Sequence, residues 1–165
     1  MSTWPASGRC ALVAAAMTVA VAACAPTRDT ESEIEVAAVG QAIEGTIAWA
    51  KTKDFDWLYS IIANDSAYLE VHPEDVVVKG FDQFKGSEEF FASPDFRAIR
   101  YEIRDLQITL SRSRDVAWFF CILDDINEWQ GRPASWINTR WTGVLEKRDG
   151  RWTMVQMHFS HPVEG

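Results

Sequence analysis

The chain has 165 residues and a formal charge of −8 at pH 7, about the size of one ordinary domain once a leader is set aside. An acidic chain without a basic run excludes nucleic acid and an anionic membrane surface as electrostatic partners. Its apolar fraction of 47% is that of a globular protein, and eight tryptophans suit a well-filled core or an aromatic-lined cavity.

Arg9 precedes an apolar run from Ala11 to Ala23. A basic start, a short apolar stretch and small residues at its end make a signal segment over residues 1–23, too short for a comfortable membrane span. Val21-Ala22-Ala23-Cys24 resembles the lipobox of bacterial lipoproteins. The resemblance implies lipid on Cys24 and a periplasm-facing place in the cell envelope. Ala25 after the cysteine, rather than Asp, favours the outer membrane in a Gram-negative cell. Membrane contact would then run through the lipid alone. An ordinary secretory signal and a short hydrophobic anchor stay open as alternatives. With Cys10 removed and Cys24 lipidated, Cys121 is left alone and no intrachain disulfide can form. Inside Trp118-Phe119-Phe120-Cys121-Ile122-Leu123 it reads as a small buried hydrophobe.

Residues 24–32 are polar and aperiodic and read as a tether. Ser32-x-x-Glu35 is a capping-box pattern. Val36, Val39, Ile43, Ile47 and Ala50 follow at helical spacing, predicting an amphipathic helix to about Lys51. Asp54 caps a second, short helix with Trp57, Leu58, Ile61 and Ile62 inward. Residues 67–72 alternate as a strand, with Tyr68, Glu70 and His72 on one face. Val76-Val77-Val78 is short and extended. Gly80 opens helical turns that Gly86 splits. Four strands follow, at 96–110, 116–128, 134–148 and 151–160. Helices first and an antiparallel meander afterwards is an α+β order, and residues 33–162 form one domain.

The last two strands meet at Asp149-Gly150, a strong hairpin signal. Arg140-x-Thr142, that turn with Trp152 beyond it, and His158-x-Ser160 together resemble the SnoaL-like branch of the nuclear transport factor 2-like superfamily, over roughly Glu33 to Pro162. That superfamily includes ketosteroid isomerases, polyketide cyclases, dehydratases and many non-catalytic members. The resemblance implies a cone-shaped roll, its N-terminal helices packed on a curved, mainly antiparallel sheet with a cavity at the open end.

The hairpin register decides which residues face that cavity. A three-residue loop with a bulge at Gly150 sets Arg140 opposite His158; a two-residue turn sets Trp141 there instead. The bulged form is expected. It gathers Trp136, Asn138, Arg140, Thr142, Gln156, His158 and Ser160 on one polar face, which with Trp57, Tyr68 and Trp118 is expected to line the pocket. Ile137, Trp141, Leu145, Val155, Met157 and Phe159 form the opposite, apolar face. Left toward water, that face would pair two copies sheet to sheet as a homodimer.

His158 is the first acid–base candidate, since imidazole titrates near neutral pH. Glu70 is the carboxylate to work with it, and Glu70 and His72 also share a strand face as base and orienter. A purely structural role for His158 and a solvated strand face for Glu70 and His72 stay open, as does pairing of Arg140 with Glu70 or Asp124. His158 and His161 point to opposite faces of a strand, the wrong geometry for a shared metal, and no phosphate loop or nucleophile elbow is present. No metal or cofactor is expected. Two functions follow: a lipid-tethered module binding a small apolar or aromatic molecule or a protein partner, or an isomerase, cyclase or dehydratase moving protons with His158 and a pocket carboxylate.

Overall fold

The computed structural model describes Met1 and residues 28–162. The signal segment and Cys24 lie outside the described residues. Helix α1 spans Arg28–Ala48, so it starts before the expected cap and takes in part of the expected tether. Asp29 and Glu31 sit in its first turn, where carboxylates favour the helix dipole, and Ser32 is an interior residue. Val39 and Ile43 are fully buried, and Ala42 and Thr46 flank them; Val36 faces outward. A 3-10 turn, Trp49–Lys51, leads to α2, Phe55–Ile61, which Asp54 caps by accepting from the Trp57 N–H at 2.9 Å.

Next come β1 (Leu69–Val71), β2 (Val77–Lys79), α3 (Phe81–Lys85) and α4 (Glu88–Ala92), with Gly86 between the two helices as expected. The long strands are β3 (Phe96–Leu110), β4 (Val116–Trp129), β6 (Trp136–Arg148) and β7 (Arg151–Ser160), with a two-residue β5 (Arg132–Pro133). The sheet order is β2-β1-β7-β6-β4-β3, with β5 on β4. β1 runs parallel to β7 and the other pairs are antiparallel. The sheet curls into a half-barrel around α1, which packs on β3 and β7. This is the α+β cone that the element order and the hairpin imply.

The hairpin differs from the expected register. Arg148 pairs with Arg151, so the turn is the two-residue Asp149-Gly150. Both turn residues have positive φ, 50° and 79°, the backbone of a type I′ turn. The extra residue lies further along, where Val144 pairs with Gln156 but Leu145 pairs with Met154. This bulge lets Met154 and Val155 both point inward. Beyond it Thr142 faces His158 and Arg140 faces Ser160.

The two faces are also reversed. Trp141 and Leu145 are fully buried, and Val155, Met157 and Phe159 nearly so. They are the core under α1, not a surface left for a second copy. The polar set lies on the outer side except Trp136, which turns inward, and Ile137 of the expected apolar face is exposed. The reason is packing: Gly143 has no Cβ, and one built there would come within 2.6 Å of both the Gln156 carbonyl and the Phe119 ring. The Phe119 side chain fills that space and stands edge-on to Trp141 at 5.0 Å.

Candidate active-site cavity

A cavity of about 290 Å³ opens where α1 ends and where β1, β4 and β7 finish. Its walls are mostly apolar, with Trp49, Phe84, Phe90, Phe91, Phe96 and Phe159 among them. Phe90 stacks on Trp129 at 4.5 Å at the rim. The volume is near the lower end of small-molecule sites, which are typically apolar with a few placed polar groups.

The first polar group comes from β1. Glu70 on this short strand, and Tyr68 and His72 just before and after it, alternate inward. Tyr68 donates its hydroxyl to Glu70 Oε2 at 2.7 Å. His72 Nε2 lies 2.9 Å from Glu70 Oε1. Both carboxylate oxygens are thus engaged, and Glu70 is 8% exposed. The Glu70 carboxylate holds the His72 imidazole pKa above its ordinary value, against the opposing effect of burial. With Nε2–H given to Glu70, Nδ1 has no protein partner among the described residues. The His72 ring stands edge-on to Trp136 at 5.3 Å and to Phe159 at 6.3 Å.

The second polar group comes from β4. Asp125 and Asn127 continue the inward row of Cys121 and Leu123. Asn127 Nδ2 donates to Asp125 Oδ2 at 2.8 Å. Burial raises the Asp125 carboxyl pKa, the Asn127 hydrogen bond opposing it, because the charged form loses water. Trp136 sits between the two polar groups, opposite Asp125. An irregularity in β6 aims it there. Asn138 takes a positive φ of 52° and donates its N–H to Asp124 Oδ1 at 2.7 Å, so Trp136 turns inward while Arg140 stays outward.

The expected site residues therefore separate. Glu70, His72 and Trp136 line the cavity, and Tyr68 stands behind Glu70. His158 is exposed on the outer face and does not meet Glu70. Arg140 is exposed too and donates to the His161 carbonyl at 2.7 Å; Asp124 is paired with Arg104 instead. Asn138, Gln156 and Ser160 lie outside the cavity, as do Trp118, 48% exposed, and Trp57, 40% exposed and lying over Gly45. Sequence reading missed Asp125 and Asn127. The signal was present, since a two-residue period from the buried Cys121 and Leu123 points both inward. Among the described residues no three His, Cys, Asp or Glu side chains are grouped to hold a metal.

Residues 39–164 match the model of the SnoaL-like domain. No curated protein matches the sequence. Among solved structures, the chain is similar to a candidate dehydratase of the NTF2-like family from Streptomyces avermitilis. The TM-score is 0.69 at 17% identity, covering 81% of this chain and 99% of that one. A candidate scytalone dehydratase from Novosphingobium aromaticivorans gives 0.67 at 13% identity, covering 81% and 92%. A protein of unknown function from Mycobacterium tuberculosis gives 0.68 at 15% identity, covering 84% and 78%. At these identities the likeness concerns the fold. With the family match over most of its length, the chain belongs to the SnoaL-like domain family of the NTF2-like superfamily.

Proposed function

We propose that the domain is a cofactor-independent acid–base enzyme of the isomerase, cyclase or dehydratase type, acting on a small apolar molecule held in the cavity. One observation carries this reading: His72, oriented by Glu70, lines an apolar cavity that Asp125 also lines. Binding of an apolar or aromatic molecule, one of the two expected functions, is the first step of this chemistry. Neutral His72 takes a proton at Nδ1 from a carbon next to a carbonyl, and Glu70 stabilises the imidazolium that forms. Tyr68 keeps Glu70 in place. Asp125, held toward its neutral form, gives its proton to the oxygen that becomes negative or leaves as water. Once product leaves, His72 releases its proton to water and Asp125 recovers one from water, which restores both groups. The base is thus His72 with Glu70, in place of the expected His158 with Glu70. The candidate dehydratases among the structural neighbours support the reaction class.

A bicyclic ketone tests this without knowledge of the substrate. Purified protein in deuterated buffer should exchange the α-protons of 2-tetralone faster than buffer alone. His72→Gln should lower the protein-dependent rate about 10²–10⁴-fold, the usual contribution of a general base. A wild-type rate equal to buffer would remove the enzyme reading and leave the binding module.

We also propose that the domain is lipid-anchored through Cys24 and faces the periplasm, supported by the lipobox-like Val21-Ala22-Ala23-Cys24. A fatty-acid label should enter the wild type and not Cys24→Ser, which should move to the soluble fraction. An unlabelled wild type would refute the anchor.

A further inference from the structure

The cavity's second polar group carries an inference about the ligand, and it rests on the proposed reading of that cavity as a substrate site. Asn127 is 8% exposed and its main chain is fully engaged. Its N–H donates to Ser135 Oγ at 3.0 Å. Its carbonyl accepts from the Ala134 N–H at 2.9 Å and from Ser135 Oγ at 3.1 Å. The side-chain Nδ2 donates to Asp125. The one polar atom left over is Oδ1, which is buried and has no hydrogen-bond partner. Buried acceptors are rarely left unpaired, because the lost hydration is not recovered. Here the unpaired acceptor belongs to a residue on the wall of a cavity whose other surface is largely apolar.

We propose that Asn127 is a specificity-determining residue: its Oδ1 accepts a hydrogen bond from a neutral donor, a hydroxyl above all, on an otherwise apolar aromatic ligand. The chemistry follows from what surrounds the atom. The amide is pinned by Asp125 and the strand pairing, so its carbonyl presents a fixed direction. The neighbouring rings of Phe90, Phe91 and Phe96 receive a flat apolar body. A ligand with a donor satisfies Oδ1 and keeps those ring contacts. A ligand with an ether or no oxygen keeps the contacts but leaves Oδ1 unpaired.

Calorimetric titration of the purified protein with 1-naphthol and with 1-methoxynaphthalene tests this. The two probes share a ring system and differ in one donor. Wild type should bind 1-naphthol about tenfold more tightly, the ratio for roughly one well-made hydrogen bond. Asn127→Leu should bring the ratio to about one, through loss of 1-naphthol affinity alone. Should Asn127→Leu not fold, the wild-type ratio still decides, together with the Asn127 side-chain NH₂ resonances, which should shift with 1-naphthol and not with the ether. Equal binding of both probes by wild type would overturn the role of Asn127 while leaving the cavity as a binding site. Tighter binding of the ether would mean that the amide presents its NH₂, and would overturn it too. Binding of neither probe would overturn this inference and the cavity's function together.

Discussion

Glu70→Ala should lower the stability of the domain by about 3–5 kcal/mol, the usual cost of removing one partner of a buried, hydrogen-bonded charge pair. Two groups lose their partner at once. The Tyr68 hydroxyl, on a residue 1% exposed, donates only to Glu70. The His72 imidazole loses the carboxylate that raises its pKa. The sign of the pH dependence follows. His72 gains its partner on folding, so its folded pKa stands above the unfolded value of about 6.5. Its contribution is complete below that unfolded value and is lost as pH rises through the folded one. The cost of Glu70→Ala, read from urea midpoints, should therefore be larger at pH 6 than at pH 9. What remains at high pH is the orphaned Tyr68 hydroxyl. Equal midpoints for wild type and variant at pH 6 would mean that Glu70 is solvated and the pair absent.

Trp141→Ala should also have a large cost, about 3–5 kcal/mol, the range for truncating a buried aromatic. Trp141 has no exposed surface; it stacks on Phe159 at 5.4 Å and meets Phe119 edge-on. Trp118, three residues before that core's Cys121 on β4, points the other way and is 48% exposed. Read at concentrations where both proteins are monomeric, Trp118→Lys should change stability by no more than about 0.5 kcal/mol. The pair of variants reads which side of the sheet is inside. It also relocates the homodimer that sequence patterning suggested. That expectation rested on the Trp141 face, which is the core. We propose instead that two copies pair through the outer face, where half-buried Phe120, Ile122 and Val144 surround Trp118. Sedimentation should show a dimer for wild type and a monomer for Trp118→Lys; a monomeric wild type at micromolar concentration rejects the pairing.

These variants mark where the chain was legible and where it was not. β3 and β7 have the ends that their turn residues imply, and Gly86 splits α3 from α4 as expected. The register of the last hairpin was not legible. Its bulge falls at Met154-Val155, inside an apolar run with no Gly or Pro to mark it. The inside of the sheet was misread because β4 is apolar on both sides. Trp118, Phe120 and Ile122 face out, while Phe119, Cys121 and Leu123 face in, so alternation of polarity could not choose. β1 misled in the opposite sense. Its polar row, Tyr68, Glu70 and His72, resembles a solvated face yet turns inward, because each member hydrogen-bonds the next. The reactive pair was thus visible as a spacing, and its burial was a property of the whole sheet. α1 begins at Arg28 because nothing between there and Ser32 breaks a helix, so the capping-box pattern had no terminus to cap.

The proposed chemistry turns on His72 being an imidazole held by Glu70 inside the cavity. Titration of the histidine Cε1–H resonances by NMR, with His72 assigned through His72→Gln, measures this directly and needs no substrate. The protein has three histidines, so the assignment is simple. His72 should titrate above the ordinary imidazole value in wild type, since the Glu70 hydrogen bond and charge outweigh burial. In Glu70→Gln the carboxylate charge is gone while the shape stays, only the charge of Glu74 is left to oppose burial, and the His72 midpoint should fall below its wild-type value. A His72 midpoint at or below the ordinary value in wild type, or one unchanged by Glu70→Gln, would contradict the pair and the acid–base site built on it.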